Sequence, residues 1–154
     1  MPRTARSTDR ISFRELRQRL RTSRAATNLG FELIALKAGH ATVRLRVEDQ
    51  HRQMHGLVHG GVLAALADTA GGMATYSRAP RDTRVATIEL KINFLEAVDG
   101  GILLAHGRVL RIGKHISVVD CELREKRRLI AKALITFFVG AAKNKQNGAK
   151  RSAG

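Results

Sequence analysis

The chain has 154 residues, of which 44% are apolar, and it carries one cysteine and a net charge of +15. This length and apolar content predict one domain with one hydrophobic core and exclude a wholly disordered chain, and a lone cysteine excludes an intrachain disulfide. No apolar run reaches the roughly 20 residues of a membrane-spanning helix, and the first residues lack the apolar segment of a secretory signal, so we expect a cytoplasmic protein. The Arg-rich start would also suit a transit peptide, which is the alternative.

The excess positive charge is concentrated in the two ends of the chain. The first 24 residues contain eight arginines and two acidic residues, and residues 141–154 contain four basic residues and no acidic one. Aromatic residues amount to only 4%, which leaves few side chains that could stack on bases. We therefore expect no specific nucleic-acid partner, although the basic ends could hold nucleic acid loosely. A moderately basic central region also suits a polyanionic small molecule.

A basic arm opens the chain and covers residues 1–24. Residues 1–10 are expected to be disordered, and residues 11–21 to form a short helix, because Phe13, Leu16 and Leu20 recur at helical spacing. Ser12 is the expected N-cap of this helix, and Glu15 is its partner in a capping box. The helix is expected to pack over a sheet edge.

The central region, residues 25–140, alternates between strand and helix patterns. Strands are predicted over residues 31–36 and 41–47, around a turn at Gly39, and a long helix over residues 60–76. Four further strands follow over residues 84–95, 101–111, 115–124 and 128–139. In the first of these, strict alternation puts Ile88 and Leu90 on one face and Thr87 on the other. The tail, residues 141–154, is expected to be mobile.

This order of elements predicts an α+β fold. Short turns between consecutive strands imply antiparallel pairing, and one long helix then packs against one antiparallel sheet. The helix is rich in alanine and glycine, which lets other backbone approach it closely. Cys121 lies in an apolar strand with no activating base beside it, so we expect a core residue rather than a nucleophile.

Two glycines, Gly60 and Gly61, open the predicted long helix. Amides in the first turn of a helix have no intrahelical partner, and the helix dipole favours negative charge beside them. Without side chains, these glycines could admit a substrate carbonyl, which makes both of them candidate substrate-binding residues. A simple tight turn is the alternative explanation of the pair.

Asp68 is the candidate catalytic residue of the same helix. An aspartate is a poor helix former, and its neighbours Ala65, Leu66 and Ala67 are apolar. The carboxylate could lie on an exposed stripe, but its combination with a glycine-opened helix favours a functional role.

The spacing between Gly60 and Asp68 constrains any shared chemistry. Eight residues of helix separate them by about 12 Å, which a carboxylate side chain cannot span. If both serve one reaction, Asp68 must act on a carbonyl held at the helix start of another subunit. The hypothesis therefore predicts a dimer in which two antiparallel helices share two sites.

The stretch from Val58 to Asp68 resembles the signature of hotdog-fold thioesterases of the phenylacetic-acid-degradation type. The likeness continues through residues 87–95 and 107–114. It implies a hotdog fold, in which an antiparallel sheet wraps around one long helix, and assembly into dimers and often tetramers. It also implies hydrolysis of acyl-CoA, with coenzyme A as part of the substrate. The sequence contains no zinc or nucleotide-loop motif, so we expect no separate cofactor or metal.

The resemblance further implies roles for particular residues. The amide of Gly60 would polarise the thioester carbonyl, and the carboxylate of Asp68 would attack it or activate water. Gln53 falls where relatives carry Asn or Gln in contact with substrate or water. His59 would order the loop or contact the thioester, and Thr87 matches a position whose hydroxyl helps to orient water.

Basic side chains near two predicted strand ends are candidate contacts for the phosphates or pantetheine arm of coenzyme A, although a solvated basic surface explains them equally well. They are Arg78, Arg84, Arg111, Lys114 and His115.

Two other functions stay open from the sequence. A hotdog hydratase or dehydratase would need a histidine and an acid placed for proton removal, and the His-Gly-Gly pattern fits a thioesterase better. A non-catalytic acyl-CoA-binding protein is the second alternative. A DNA-binding sensor is disfavoured because too few residues precede the first strand for a separate DNA-binding domain.

Overall fold

The computed structural model describes residues 10–142 of the chain, so the predictions for the first residues and for the tail fall almost wholly outside the described residues. Within this range the chain forms three α-helices and six β-strands, together with one 3-10 turn at Asp49–His51. The helices are α1 (Phe13–Thr22), α2 (Arg24–Asn28) and α3 (Gly60–Tyr76). The strands are β1 (Phe31–Lys37), β2 (His40–Arg46), β3 (Thr83–Phe94), β4 (Ile102–Ile112), β5 (Ile116–Glu125) and β6 (Arg128–Ala141).

All six strands belong to one antiparallel sheet with the order β1-β2-β4-β5-β6-β3. Helix α3 packs against every strand of this sheet. The structure therefore confirms the predicted α+β fold with one long helix against an antiparallel sheet. Helix α2 was not predicted, because five residues are too few to show a helical period.

The close approach of α3 to the sheet depends on Gly107 in the middle of β4. A Cβ atom at Gly107 would lie 2.6 Å from the carbonyl oxygen of Ala70, which is a helix backbone atom. Side chains on the sheet-facing side of α3 are correspondingly small or fully buried, among them Leu66, Ala67 and Ala74. The expectation that a thin helix admits other backbone is thus confirmed.

The free cysteine, Cys121, is fully buried on β5. Its burial raises the pKa of the thiol to about 12, so the reactive thiolate is strongly disfavoured. The prediction of a core residue is confirmed. Leu33, Val43, Leu45, Leu66, Leu103, Val119, Leu123, Ile130, Ile135 and Phe137 are other large members of this core.

A β-bulge interrupts the pairing of β3 with β6 between Thr87 and Glu89. An extra residue in a strand reverses which of the following side chains face each side of the sheet. Consequently Thr87 turns towards α3, as do Leu90 and Ile92 beyond the bulge, while Ile88 is left 57% exposed. The strict alternation predicted for this strand, with Thr87 and Leu90 on opposite faces, is therefore wrong at this point.

Candidate active site

The carboxylate of Asp68 meets the hydroxyl of Thr87 where α3 passes β3. The Thr87 hydroxyl donates a hydrogen bond of 2.6 Å to Oδ1 of Asp68. Asp68 is half-buried in the middle of α3, and both side chains line one cavity of about 430 Å³. Thr87 shares the helix side of β3 with Leu90 and Ile92 because the bulge lies between them.

Two effects act on the ionisation of Asp68. Burial raises the pKa of this carboxyl above its usual value, and the hydrogen bond from Thr87 opposes that shift by favouring the charged form. Burial is the larger effect. The result is a carboxylate of increased basicity that still has a hydrogen-bond donor, which suits a base or a nucleophile.

Gly60 is the first residue of α3, and His59 is its N-cap. The amide of Gly61 donates a 2.8 Å hydrogen bond to Nδ1 of His59, so that amide already has a partner. The amide of Gly60 donates to no acceptor within residues 10–142. Of the two glycines singled out in the sequence, Gly60 is therefore the one whose amide could bind a carbonyl oxygen.

The loop before α3 is folded back on itself and brings Gln53 close to Gly60. The amide of Gln53 donates to the carbonyl of Leu57 at 2.8 Å, and its side-chain oxygen accepts from the amide of His55. Gly56 takes a φ of +84° in this turn, a conformation that favours glycine. Gln53 and Gly60 together line a second cavity, of about 320 Å³.

Two residues that shape this region were missed in the sequence. His51 is buried, and its Nδ1 accepts from the amide of Glu48 at 2.8 Å while its Nε2 lies 3.0 Å from the carbonyl of Leu29. The carbonyl of His51 accepts from the amide of His59, so this residue anchors the N-cap of α3. The contact with Leu29 joins distant parts of the chain and leaves no local pattern.

Phe94 is the second missed residue. Its ring lies over the start of α3, and a Cβ atom at Gly60 would be 3.1 Å from Cζ of Phe94. Packing against the Phe94 ring therefore favours a glycine at position 60, as does the proposed binding of a carbonyl at its amide. Phe94 is 53% exposed and lines the second cavity.

The predicted site residues thus form two separate groups. Asp68 and Thr87 line the first cavity, and Gln53 and Gly60 line the second. Because α3 is continuous from Gly60 to Tyr76, the separation of about 12 Å along the helix holds in the structure. Within one chain the carboxylate and the amide of Gly60 do not face a common space.

The five basic candidates line neither cavity and are all exposed. They lie towards the other end of the sheet, around the end of α3, the start of β3 and the β4–β5 turn, where the rings of His115 and Phe138 stack with centroids 6.3 Å apart. They are Arg78, Arg84, Arg111, Lys114 and His115.

In the part of the chain that the structure describes, no three His, Cys, Asp or Glu side chains gather closely enough to hold a metal ion. The same residues contain no helix with the length and apolar character needed to cross a membrane.

Comparisons with known proteins point consistently to one family. A profile described as "Thioesterase superfamily" matches residues 55–131, which are half of the chain. A protein of Saccharolobus solfataricus named for a proposed esterase activity is 33% identical over 112 residues, which cover 72% of this chain and 79% of that protein. The 1,4-dihydroxy-2-naphthoyl-CoA hydrolase of Listeria monocytogenes is 28% identical over 98 residues, covering 64% of this chain and 80% of that enzyme.

Solved structures point to the same family. A thioesterase from Haemophilus influenzae superimposes with a TM-score of 0.80 at 26% identity, covering 88% of this chain and 95% of that one. A Streptococcus mutans protein bound to acetyl CoA gives a TM-score of 0.67 at 28% identity, covering 74% and 91%. A protein from Ralstonia eutropha, described as a proposed thioesterase related to phenylacetic acid degradation, gives 0.72 at 26% identity, covering 80% and 98%.

Proposed function

Because the chain belongs to the thioesterase superfamily, we propose that it hydrolyses acyl-CoA thioesters to a free acid and coenzyme A, with Asp68 as its catalytic carboxylate. The observation that carries this proposal is the half-buried Asp68 carboxylate, bonded by Thr87 at the wall of a cavity. A relative named as a CoA-thioester hydrolase and a structural neighbour bound to acetyl CoA support an acyl-CoA substrate. The neighbour related to phenylacetic acid degradation supports the phenylacetic-acid-degradation type within this superfamily.

A complete site needs two copies of the chain. The Gly60 amide and the Asp68 carboxylate line different cavities, and two antiparallel α3 helices across a two-fold axis would bring one of each together. Strand β3 is an edge of the sheet, and it exposes Ile88 and Phe94, with Leu95 following. An unpaired apolar edge is a surface that a second β3 strand would cover.

The proposed reaction begins with the carbonyl of the thioester at the free amide of Gly60. That amide and the positive end of α3 stabilise the negative charge that develops on the oxygen. Asp68 then either removes a proton from water as it attacks the acyl carbon, or attacks that carbon itself and forms an anhydride that water opens. In both routes the carbon–sulfur bond breaks, and the sulfur leaves as a thiolate that takes up a proton.

The remaining candidate residues have supporting parts in this proposal. His59 holds the helix start in place through its bond to Gly61, and Gln53 stands beside the carbonyl site. Thr87 holds the carboxylate. The exposed basic cluster at the other end of α3 remains a proposed contact for the phosphates of coenzyme A.

The first test is a thiol-detecting assay with a panel of acyl-CoA and aryl-CoA substrates. Asp68→Asn removes the charge with little change in shape, and we expect kcat to fall by about 10²- to 10⁴-fold. Asp82→Asn is the matched control, because this exposed aspartate lies in the loop before β3 and should leave kcat unchanged.

Near-normal turnover by Asp68→Asn would overturn the assignment of the carboxylate. Hydration of an enoyl-CoA without release of thiol from any member of the panel would instead identify a hydratase. Binding without either reaction would identify a non-catalytic acyl-CoA-binding protein.

A further inference from the structure

The cavity beside Asp68 extends well beyond the carboxylate. It has a volume of about 430 Å³ and lies between α3, the start of β3 and the two N-terminal helices. Pockets for small molecules generally occupy about 300–1,000 Å³. Its main apolar lining residues are Leu16, Leu20, Leu29, Met73, Val85 and Phe137.

One stripe of α3 forms the floor of this cavity. Its members recur at spacings of three and four residues, so they share one face of the helix. Asp68 lies near one end of the stripe and Tyr76 at the other, about 12 Å further along the helix axis. The stripe consists of Ala65, Asp68, Thr69, Gly72, Met73 and Tyr76.

Beyond Asp68 three hydroxyls of this wall each take part in a hydrogen bond within the chain. The Thr69 hydroxyl donates to the carbonyl of Ala65 at 2.8 Å, and the Tyr76 hydroxyl accepts from the amide of Val85 at 3.3 Å. The hydroxyl of Ser23 accepts from the amide of Ala26, which caps α2. A ligand that enters the cavity therefore meets mainly apolar surface, with one exposed guanidinium, that of Arg19, at the rim.

The N-terminal helices that cover the cavity are fixed in place. Ser12 and Glu15 form the predicted capping box at the start of α1, and Glu15 also pairs with Arg81 in the loop after α3. A backbone bridge joins Arg10 to Pro80 in the same loop. Leu16 and Leu20 are buried beneath the helix. The cover is thus attached both to the loop after α3 and to the hydrophobic core.

We propose that this cavity is the acyl-binding pocket, and that helices α1 and α2 limit the size of the acyl group. The thioester lies at Asp68, and the acyl group runs beneath the two helices towards Tyr76. The substrate class is then a CoA thioester of an apolar acyl or aryl group up to about 12 Å long. This proposal rests on the proposed function for the position of the thioester.

Gly72 offers a way to shorten the pocket. It lies one helical turn beyond Asp68, and a Cβ atom there would have Cε1 of Phe137 as its nearest neighbour, at 3.8 Å, an ordinary contact. Gly72→Leu therefore projects a side chain into the pocket from a helix that accepts it. Gly100→Leu, in the β3–β4 turn outside the cavity, is the matched control.

The experiment measures binding of S-alkyl-CoA thioethers, which cannot be hydrolysed, by isothermal titration calorimetry. For the natural chain we expect affinity to rise with alkyl length until the chain fills the pocket, because each added methylene is buried. For Gly72→Leu we expect affinity for the long alkyl chains to fall by about tenfold or more and affinity for the methyl thioether to stay the same. Gly100→Leu should reproduce the natural profile.

If Gly72→Leu folds poorly, a variant that widens the pocket provides an independent test. Met73→Ala removes a half-buried side chain from the wall and should shift the best-bound length upwards. Circular dichroism and thermal unfolding would show whether each variant is folded.

A length profile that is unchanged in both variants, or an equal loss for all lengths, would overturn the pocket assignment. Tight, length-dependent binding together with no thiol release from the matching acyl-CoA would instead sink the proposed hydrolysis and leave the pocket standing.

Discussion

Two opposing effects act on the pKa of Asp68, and each can be changed separately. Its burial favours the neutral acid, whereas the hydroxyl of Thr87 favours the carboxylate. Catalysis in either proposed route requires the carboxylate, so activity should fall in acid as Asp68 takes up a proton. The pH at which this happens then reports the surroundings of one side chain.

Substitution of Thr87 should move the acid limb of the pH–rate profile. Thr87→Val keeps the shape of the side chain but removes the donor, so the pKa of Asp68 should rise further. The midpoint of the acid limb of kcat/KM should then move to higher pH, whereas Thr87→Ser should leave it near its natural position. A shift to lower pH in Thr87→Val would contradict the role of this hydrogen bond.

The same carboxylate should reduce the stability of the folded chain at neutral pH. The pKa of Asp68 is raised in the folded state, so folding favours the protonated form, and stability is lost as the pH rises through that pKa. Asp68→Asn is neutral at every pH. We expect its free energy of unfolding, relative to the natural chain, to grow from acid towards neutral pH, measured by urea denaturation. A relative stability that does not vary with pH would argue against a buried, destabilised carboxylate.

Among the elements, α3 and β4 approach each other closely at Gly107. An added methyl group there would meet the backbone of Ala70 and Gly71, at 2.6 Å from the nearest atom, and neither can yield without moving the helix. We expect Gly107→Ala to lower the free energy of unfolding by about 1–3 kcal/mol. Gly72→Ala, whose added carbon fits, should be neutral or stabilising by up to about 1 kcal/mol. Equal stabilities in urea for the two variants would contradict this packing.

The elements also show how far the sequence could predict this protein. Turn residues and hydrophobic periods gave α3 and all six strands, because these are local properties. The bulge in β3 has no such signature, and it reversed the face assigned to Thr87 relative to Leu90. The cover formed by α1 and α2 was also missed as part of a site, because a cavity arises from contacts between distant segments. Gly60 and Asp68 could be identified, but not the separate cavities that they line.

For the whole molecule, the proposed site takes the Gly60 amide from one subunit and the Asp68 carboxylate from the other. This arrangement predicts that two inactive variants can restore activity to each other. Asp68→Asn and Gly60→Val each damage a different half of the proposed shared site. In a mixed dimer, one site carries both defects and the other carries none. If the variants are refolded together from urea, random pairing should restore about one quarter of the natural activity.

The controls are each variant refolded alone, which should stay inactive and give a circular dichroism spectrum like that of the natural chain. Size-exclusion chromatography with light scattering would establish that both variants form dimers. Absence of recovered activity in a mixture that contains mixed dimers would mean that each site lies within one chain, and the shared-site proposal would fail.

The buried cysteine has a practical consequence for work on this chain. Cys121 is the sole thiol, and its buried, protonated sulfur should react with a thiol reagent only when the sheet around it opens. A dye that detects released coenzyme A should therefore give almost no background from the folded protein. Without substrate, the slow modification of Cys121 by the same reagent would time the spontaneous opening of the core, with no engineered label.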